Sequence, residues 1–534
     1  MKSVMKHLFS QIPQANIQRS IMDRSSGYKT TFDSGYLIPF FWDEVLPGDS
    51  FRLKTSLFAR LATPAVPFMD NLFLDTQYFF VPSRLLWSNF QRFMGEQDDP
   101  DDSIDYLVPV INSGESGVAV GSIYDYFGIP TGVANLEFSA LPFRAYNLIW
   151  NEWYRDENLQ DSVPKNMTDG PDSLSDYSIL RRGKRHDYFT SCLPWPQKGA
   201  GVELPLSGNA PVYGIDGTAM GLSKESSSTY GSGFHMITTD TSLLISGGSG
   251  NRDVNIVSKG LEGRPSNVYA DLSEVTAATI NSLRTAFQMQ KFLEKCARGG
   301  TRYTEILRAH FGVVSPDARL QRPEYLGGAS TRIHINPVAQ TASSDAVSPQ
   351  GNLAAFGVSG STHHGFNKGF VEHGYIIGLL SVRADLTYQQ GLNRLLSHRT
   401  RYDYYWPSFA HLGEQAVLNK EIYAQGGSVK DEDLNVIDDK VFGYQERYAE
   451  YRYRPSYITG KFRSSYAQSL DVWHLSQYFS NLPVLNDEFI VDNPPVSRVV
   501  AVQDEPQFLL DAYFDLKCTR PMPLYGVPGL VDHF

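Results

Sequence analysis

Cysteine is nearly absent from this chain. Its 534 residues include only Cys192, Cys296 and Cys518. No two of them stand in a CxxC spacing, which argues against a disulfide framework and a thiolate zinc site. Such usage fits folding in a reducing cytoplasm. Long hydrophobic runs are missing too. The longest, residues 375–380 (YIIGLL), falls well short of the roughly 20 apolar residues that cross a bilayer, so no membrane span and a soluble protein are expected. The N-terminal MKSVMKHLFSQIPQANIQRS has no apolar stretch of signal-peptide length, and no secretory route is expected. Charge is also sparse: 20% of residues are charged, below the usual figure of about 25%.

Catalytic signatures are likewise lacking. The chain has no GxxxxGK[ST] phosphate loop, no HExxH, no GxSxG, and no GxGxxG following a strand. His363, His364 and His373 lie close in sequence, but no acid or thiol completes a metal-ligand spacing, so they read as polar loop histidines. Asp98, Asp99, Asp101 and Asp102 (QDDPDDS) lack the spaced acids and the glycine of a calcium loop and read as a solvated turn. No catalytic residue, metal or cofactor is expected. A structural or binding role is favoured over an enzyme.

Aromatic residues, glycine and proline are abundant. Aromatics make up 13%, with 30 Tyr and 31 Phe, beside 44 Gly and 30 Pro. Low charge combined with many aromatics implies much surface buried, either internally or against partners, where aromatics and arginine are enriched. Length alone suggests three or four domains of about 150 residues, although β folds with long insertions run longer as one body.

Residues 1–30 carry five Lys/Arg, among them Lys2 and Lys6, against the single acid Asp23, and read as a basic, extended N-terminal arm. Residues 51–61 alternate strictly and predict a strand, as do the aromatic residues 73–81. Ser83 then looks like the N-cap of a short helix carrying Leu86, Phe90 and Phe93. Residues 141–160 read as a helix whose Tyr146, Ile149, Trp150 and Trp153 stripe faces a core. Residues 31–199 form the first part of a folded body. Residues 200–268 read as a surface insertion, with 16 Gly or Ser among the 40 residues of 221–260. A helix is expected over 271–298, stopped by Gly299–Gly300. Residues 370–388 suit a strand buried on both faces. Residues 269–534 form the second part of the body, with the last 70 residues, rich in proline, read as extended docked chain. Strands joined by long irregular connections indicate a mainly β sandwich or jelly roll.

One stretch stands apart: FGYQERYAEYRYRPSYITGKFR, residues 442–463. Arg447, Arg452, Arg454, Lys461 and Arg463 alternate with Tyr451, Tyr453 and Tyr457. One reading places the cations on phosphates and the tyrosines against the bases of single-stranded DNA. The other is structural, with the arginines pairing to acids at subunit contacts or stacking on tyrosines; Glu446 and Glu450 among them favour it. If residues 450–456 are a strand, Tyr451 and Tyr453 share one face, and Arg452 and Arg454 the other.

Four blocks resemble the major capsid protein of the Microviridae, specifically the gokushovirus branch of single-stranded DNA phages. They are FDSGYLIPFFWDEVLPGDSF (32–51), LPFRAYNLIWNEWYRDENLQDS (141–162), GGTRYTEILRAHFGVVSPDARLQRPEYLGG (299–328) and residues 442–463. The resemblance implies an eight-stranded antiparallel jelly roll with long loop insertions and a few helices. It also implies a T=1 icosahedral shell assembled in the cytoplasm of a bacterial host, with the protein resident in the virion. Implied partners are further copies of the chain, a circular single-stranded DNA genome, an internal scaffolding protein and a DNA pilot protein. By the same resemblance, residues 200–268 build protrusions at the three-fold axes, where a host receptor would be contacted. The main rival is a β-rich carbohydrate-binding or adhesin-like surface protein, which calls for the secretory signal that is missing. A hydrolase with a site assembled only in three dimensions is the third reading.

Overall fold

The computed structural model describes residues 18–202, 280–342 and 349–525, together with the backbones of five short strands between 212 and 270. The chain forms two compact units, residues 1–196 with 296–534, and residues 197–295.

Nine strands of the first unit make one antiparallel sheet: β1 (Ser20–Asp23), β2 (Ser26–Phe32), β3 (Ile38–Val45), β4 (Ser50–Leu61), β5 (Leu72–Pro82), β6 (Glu324–Ala339), β7 (Leu353–Gly369), β8 (Gly374–Ala384) and β9 (Phe508–Arg520). The order is β1-β9-β4-β7-β6-β5-β8-β3, and β2 also pairs with β9. β1 covers Lys517–Arg520 of β9, whereas β2 covers Phe508–Phe514. The two therefore share one edge, and the nine strands fill the eight positions of the expected jelly roll.

Side-chain alternation decides how the sheet closes. In β4, Phe51, Leu53, Leu57, Ala59 and Leu61 are buried while Arg52 and Arg60 are exposed. The buried faces meet across the interior. Phe41 of β3 and Phe514 of β9 have five strands between them in the order, yet their ring centroids are 4.9 Å apart. Thr55 of β4 and Tyr78 of β5 join hydroxyls at 2.6 Å across the same space. The sheet is curled into a half-barrel around this core.

β8 is buried along its whole length, as its continuous apolar run predicts. Ile376, Leu380 and Val382 point into the barrel core, and Tyr375, Ile377 and Leu379 join a second core on the outside. That outer layer includes helix α1 (Leu141–Ile149), extended by a wider π turn over Trp150–Tyr154. Tyr146, Ile149 and Trp150 are buried there and Trp153 is partly buried, so the aromatic stripe is core.

Two sequence expectations fail. Residues 83–94 do not form one helix. Ser83–Leu85 is a single 3-10 turn and Phe90–Phe93 a single α turn, because Leu86, Trp87, Phe90 and Phe93 must wrap the outer core rather than line one helical face. The C-terminal stretch is not docked chain throughout. Its β9 pairs with β4 over Phe508–Thr519, in the interior of the sheet.

Helix α2 (Ile280–Arg298) runs from the second unit into the first, and Gly300 follows it at a φ of 87°. Residues 271–279 of the predicted helix lie outside the described residues. In the second unit, Met220–Lys224 pairs with Phe234–Met236 and Val254–Ser258, and Val212–Gly214 with Val268–Ala270.

Candidate nucleic-acid interface

The Arg–Tyr stretch begins on the strand Val441–Glu446, which pairs antiparallel with Glu414–Leu418. Tyr448 then adopts the left-handed region (φ 63°), rare outside glycine, and turns the chain. Its amide donates to the Gln415 side chain at 3.0 Å, and its ring is buried beside Ala449. A 3-10 turn, Ala449–Tyr451, follows. Residues 450–456 are thus not a strand, and the two-faced arrangement of tyrosines and arginines does not form. Only Ser456–Tyr457 is extended, pairing in parallel with Thr387–Tyr388.

This turn sorts the side chains. Glu450 is drawn inward, 4% exposed, accepting a hydrogen bond from Gln415 at 2.5 Å and lying 3.8 Å from Arg394 and 3.9 Å from His398. Tyr451, Tyr453 and Tyr457 are left about half exposed. Arg447 stacks over the Tyr448 ring at 4.8 Å. Arg452 pairs with Glu446, and Arg463 donates to the carbonyl of Gln389. Arg454 and Lys461 are exposed and make no ion pair among the described residues.

The fold adds a second stretch that sequence reading passed over: HRTRYDYYW, residues 398–406. It packs on the first. Tyr405 meets Tyr448 and Tyr451 at centroid distances of 5.1 and 6.4 Å, and His398 meets Tyr404 and Tyr451 at 5.1 and 6.2 Å. Arg401 lies over the Tyr402 ring at 4.7 Å. The one acid here, Asp403, accepts from the amides of Arg399 and Thr400 and from the Thr400 hydroxyl, which hold its carboxyl down at about 2. Its interleaved Arg and Tyr were the available signal.

Together the stretches present the partly exposed rings of Tyr402, Tyr404, Tyr405, Trp406, Tyr451, Tyr453 and Tyr457 among Arg399, Arg401, Arg452, Arg454 and Lys461. Of the three acids within them, Asp403 is spent on backbone and Glu450 on buried groups, while Glu446 stays on the surface paired with Arg452. A cleft of about 800 Å³ opens beside Tyr451–Thr459, with Leu392 and Leu396 on its walls and Tyr188, Phe189 and Tyr388 lining it. Exposed rings interspersed with cations match the requirements of an unpaired nucleic-acid strand. Lys2 and Lys6 lie outside the described residues.

The expectation of loop histidines fails for two of the three, since His363 and His364 lie within β7 and only His373 is in a connection. His364 shares a 2.8 Å hydrogen bond with Ser361 where the β7–β4 pairing shifts register, and burial pushes its pKa down. His373 packs against Phe90 at 5.7 Å. Among the described residues no group of three or more His, Cys, Asp or Glu is arranged to hold a metal, and no helix is long and apolar enough to cross a membrane.

Comparison with known proteins decides the family. The capsid protein (F protein) family matches residues 10–530. The chain belongs to that family. It is 48% identical to capsid protein VP1 of Chlamydia phage 1, over 99% of this chain and 98% of that protein. Capsid protein VP1 of Bdellovibrio phage phiMH2K is 49% identical over the same shares. That of Spiroplasma virus 4 is 37% identical over 98% of this chain and 97% of that protein. The Microviridae resemblance therefore holds from end to end. The chain is a major capsid protein of the virion, and its relatives are structural proteins rather than enzymes.

Proposed function

We propose that this capsid protein closes into a T=1 icosahedral shell around a circular single-stranded DNA genome, and that the joined Arg–Tyr stretches form the genome contact. The observation that carries the second part is the convergence of residues 398–406 and 442–463 into one surface from which Asp403 and Glu450 are withdrawn, leaving Glu446 paired with Arg452. A subunit of net charge −11 cannot neutralise a genome as a whole, so contact with DNA has to be local. Arg447, Arg452, Arg454, Lys461 and Arg463 supply charge, and Tyr451 and Tyr453 supply stacking, each stacked base contributing about 1–3 kcal/mol. Lys2 and Lys6 of the basic arm are further candidates. The internal scaffolding protein and the DNA pilot protein are the partners expected during assembly.

In particles carrying Arg452→Ala with Arg454→Ala, assembly is expected to proceed while DNA content falls, measured as the ratio of nucleic-acid to protein absorbance in purified shells. Failure of assembly itself would assign these arginines to subunit contacts instead.

Residues 200–268 are the proposed host-receptor surface, on the strength of their Gly/Ser-rich composition. Replacing 221–260 with a short linker is expected to leave particles intact and abolish attachment to the host; attachment at the normal level would rule the segment out.

A further inference from the structure

A second cleft has a volume of about 980 Å³. It is lined by parts of residues 153–159, 182–193 and 297–309. Its three acids are already engaged, two of them on one shared cation. Arg302 bridges Glu157 and Glu305 at 3.0 and 3.2 Å, and Asp156 accepts from the amides of Asn158 and Leu159 at 2.9 and 3.1 Å. Two of its arginines are also committed, Arg182 to Asp75 at 2.7 Å and Arg298 to Glu414 at 2.9 Å. Arg185 is held only loosely, and His186 and Arg308 make no ion pair among the described residues. All three are exposed, and the Arg185 pair with Asp385 is long, at 3.9 Å. The cleft therefore carries positive charge at its surface, unpaired at Arg308 and only loosely paired at Arg185.

The complementary feature is on the same chain. The turn at 98–102 is held firmly by its own bonds: the Asp102 side chain accepts from the amides of Asp98 and Asp99 at 3.2 Å, and Gln97 donates to the Asp102 carbonyl at 2.6 Å. Asp98 pairs with Arg92 at 3.3 Å. Asp99 and Asp101 stay exposed, with no ion pair among the described residues. The turn thus offers two preset carboxylates, and fixing them beforehand lowers the ordering cost of binding.

We propose that the cleft at Arg185 and Arg308 receives the acidic turn, Asp98–Asp102, of a second copy of this chain. Identical subunits that close into a shell through heterologous contacts must carry both halves of each contact on one chain. Subunits this acidic repel one another overall, so their contacts need local charge matching. A nucleic-acid strand fits this cleft less well, because Trp153 and Tyr154 are both packed on Phe79, at 5.5 and 6.0 Å, rather than free to stack. The proposal rests on self-assembly, not on the genome contact.

A charge swap tests it, with particle yield read by sedimentation from expressing cells. Arg185→Glu with Arg308→Glu, and separately Asp99→Lys with Asp101→Lys, are each expected to lower particle yield about tenfold or more, since like charges facing each other at an interface cost affinity steeply. All four substitutions together are expected to restore particles. Circular dichroism and thermal unfolding of the unassembled variants should match the parent, because all four side chains are exposed. Normal yield from either double variant would overturn the proposal, as would a folded fourfold variant that stays unassembled. Particles of normal yield but reduced DNA in the Arg185, Arg308 variant would assign the cleft to nucleic acid. Parent protein that forms no particles at all would instead refute the capsid reading itself.

Discussion

Replacing Arg144 with alanine is expected to destabilise the subunit by about 3–5 kcal/mol, the usual effect of leaving one half of a buried ion pair alone. Arg144 is 2% exposed and Asp172 is 1% exposed. The guanidinium grips the carboxylate with two bonds, at 2.8 and 2.7 Å. Its remaining nitrogen donates to the carbonyls of Leu86 and Thr168 at 3.0 and 2.9 Å. One side chain of α1 therefore ties together three loop segments around the outer core. Alanine would leave a buried carboxylate with no cation, the Tyr177 hydroxyl still donating to it, and would take a donor from two carbonyls. Against a total stability of about 5–15 kcal/mol, such a loss depletes folded subunits and hence particles. Urea unfolding of the unassembled subunit measures it. Lysine should rescue only in part, lacking the two-pronged geometry.

Acid sharpens the same test. Burial pushes the Asp172 carboxyl up, but the Arg144 and Tyr177 hydrogen bonds outweigh it and hold the group below the ordinary range. A depressed folded pKa adds stability above the unfolded value, about 3.9, and that stability is lost as pH falls through the folded value. The parent should therefore lose this increment on acidification below about pH 4. In Arg144→Ala the buried carboxyl has lost its cation and is expected to titrate above 3.9, so acid should relieve part of its cost.

Phe514→Ala is expected to cost about 3–5 kcal/mol as well, for a different reason. Phe514 is 3% exposed and touches Phe40 and Phe41 at centroid distances of 5.7 and 4.9 Å. It closes the half-barrel by joining strands from distant positions in the sheet. Truncation opens a cavity where the two ends of the sheet meet. Phe58→Ala serves as the control: Phe58 is on the exposed face of β4, and its removal should change stability by less than about 0.5 kcal/mol. Equal effects for the two would mean the curled core is not what holds the sheet.

Elements that bury one face locally were legible from sequence. β4 alternates cleanly, β8 is apolar on both faces because it serves two cores, and α1 carries its stripe into the outer layer. β9 was equally patterned, with Phe508, Leu510, Ala512, Phe514, Leu516 and Cys518 buried in alternation, but the prolines on either side suggested docked chain. The closing of the sheet was not legible, since it depends on contacts such as Phe41–Phe514 between residues far apart in sequence. The candidate interface was half legible. Residues 442–463 announced themselves by composition, but their strand reading failed because the fold buries Tyr448, Ala449 and Glu450 together. The partner stretch 398–406 acquires meaning only once the fold lays it against Tyr448 and Tyr451.

The most direct test of the central claim is sedimentation of the purified protein, co-expressed with its scaffolding partner, with nucleic-acid and protein absorbance followed across the gradient. A fast, homogeneous peak is predicted, its absorbance showing enclosed DNA when genome is supplied. A slow monomer or small oligomer, with the partner present, would contradict a shell-forming subunit.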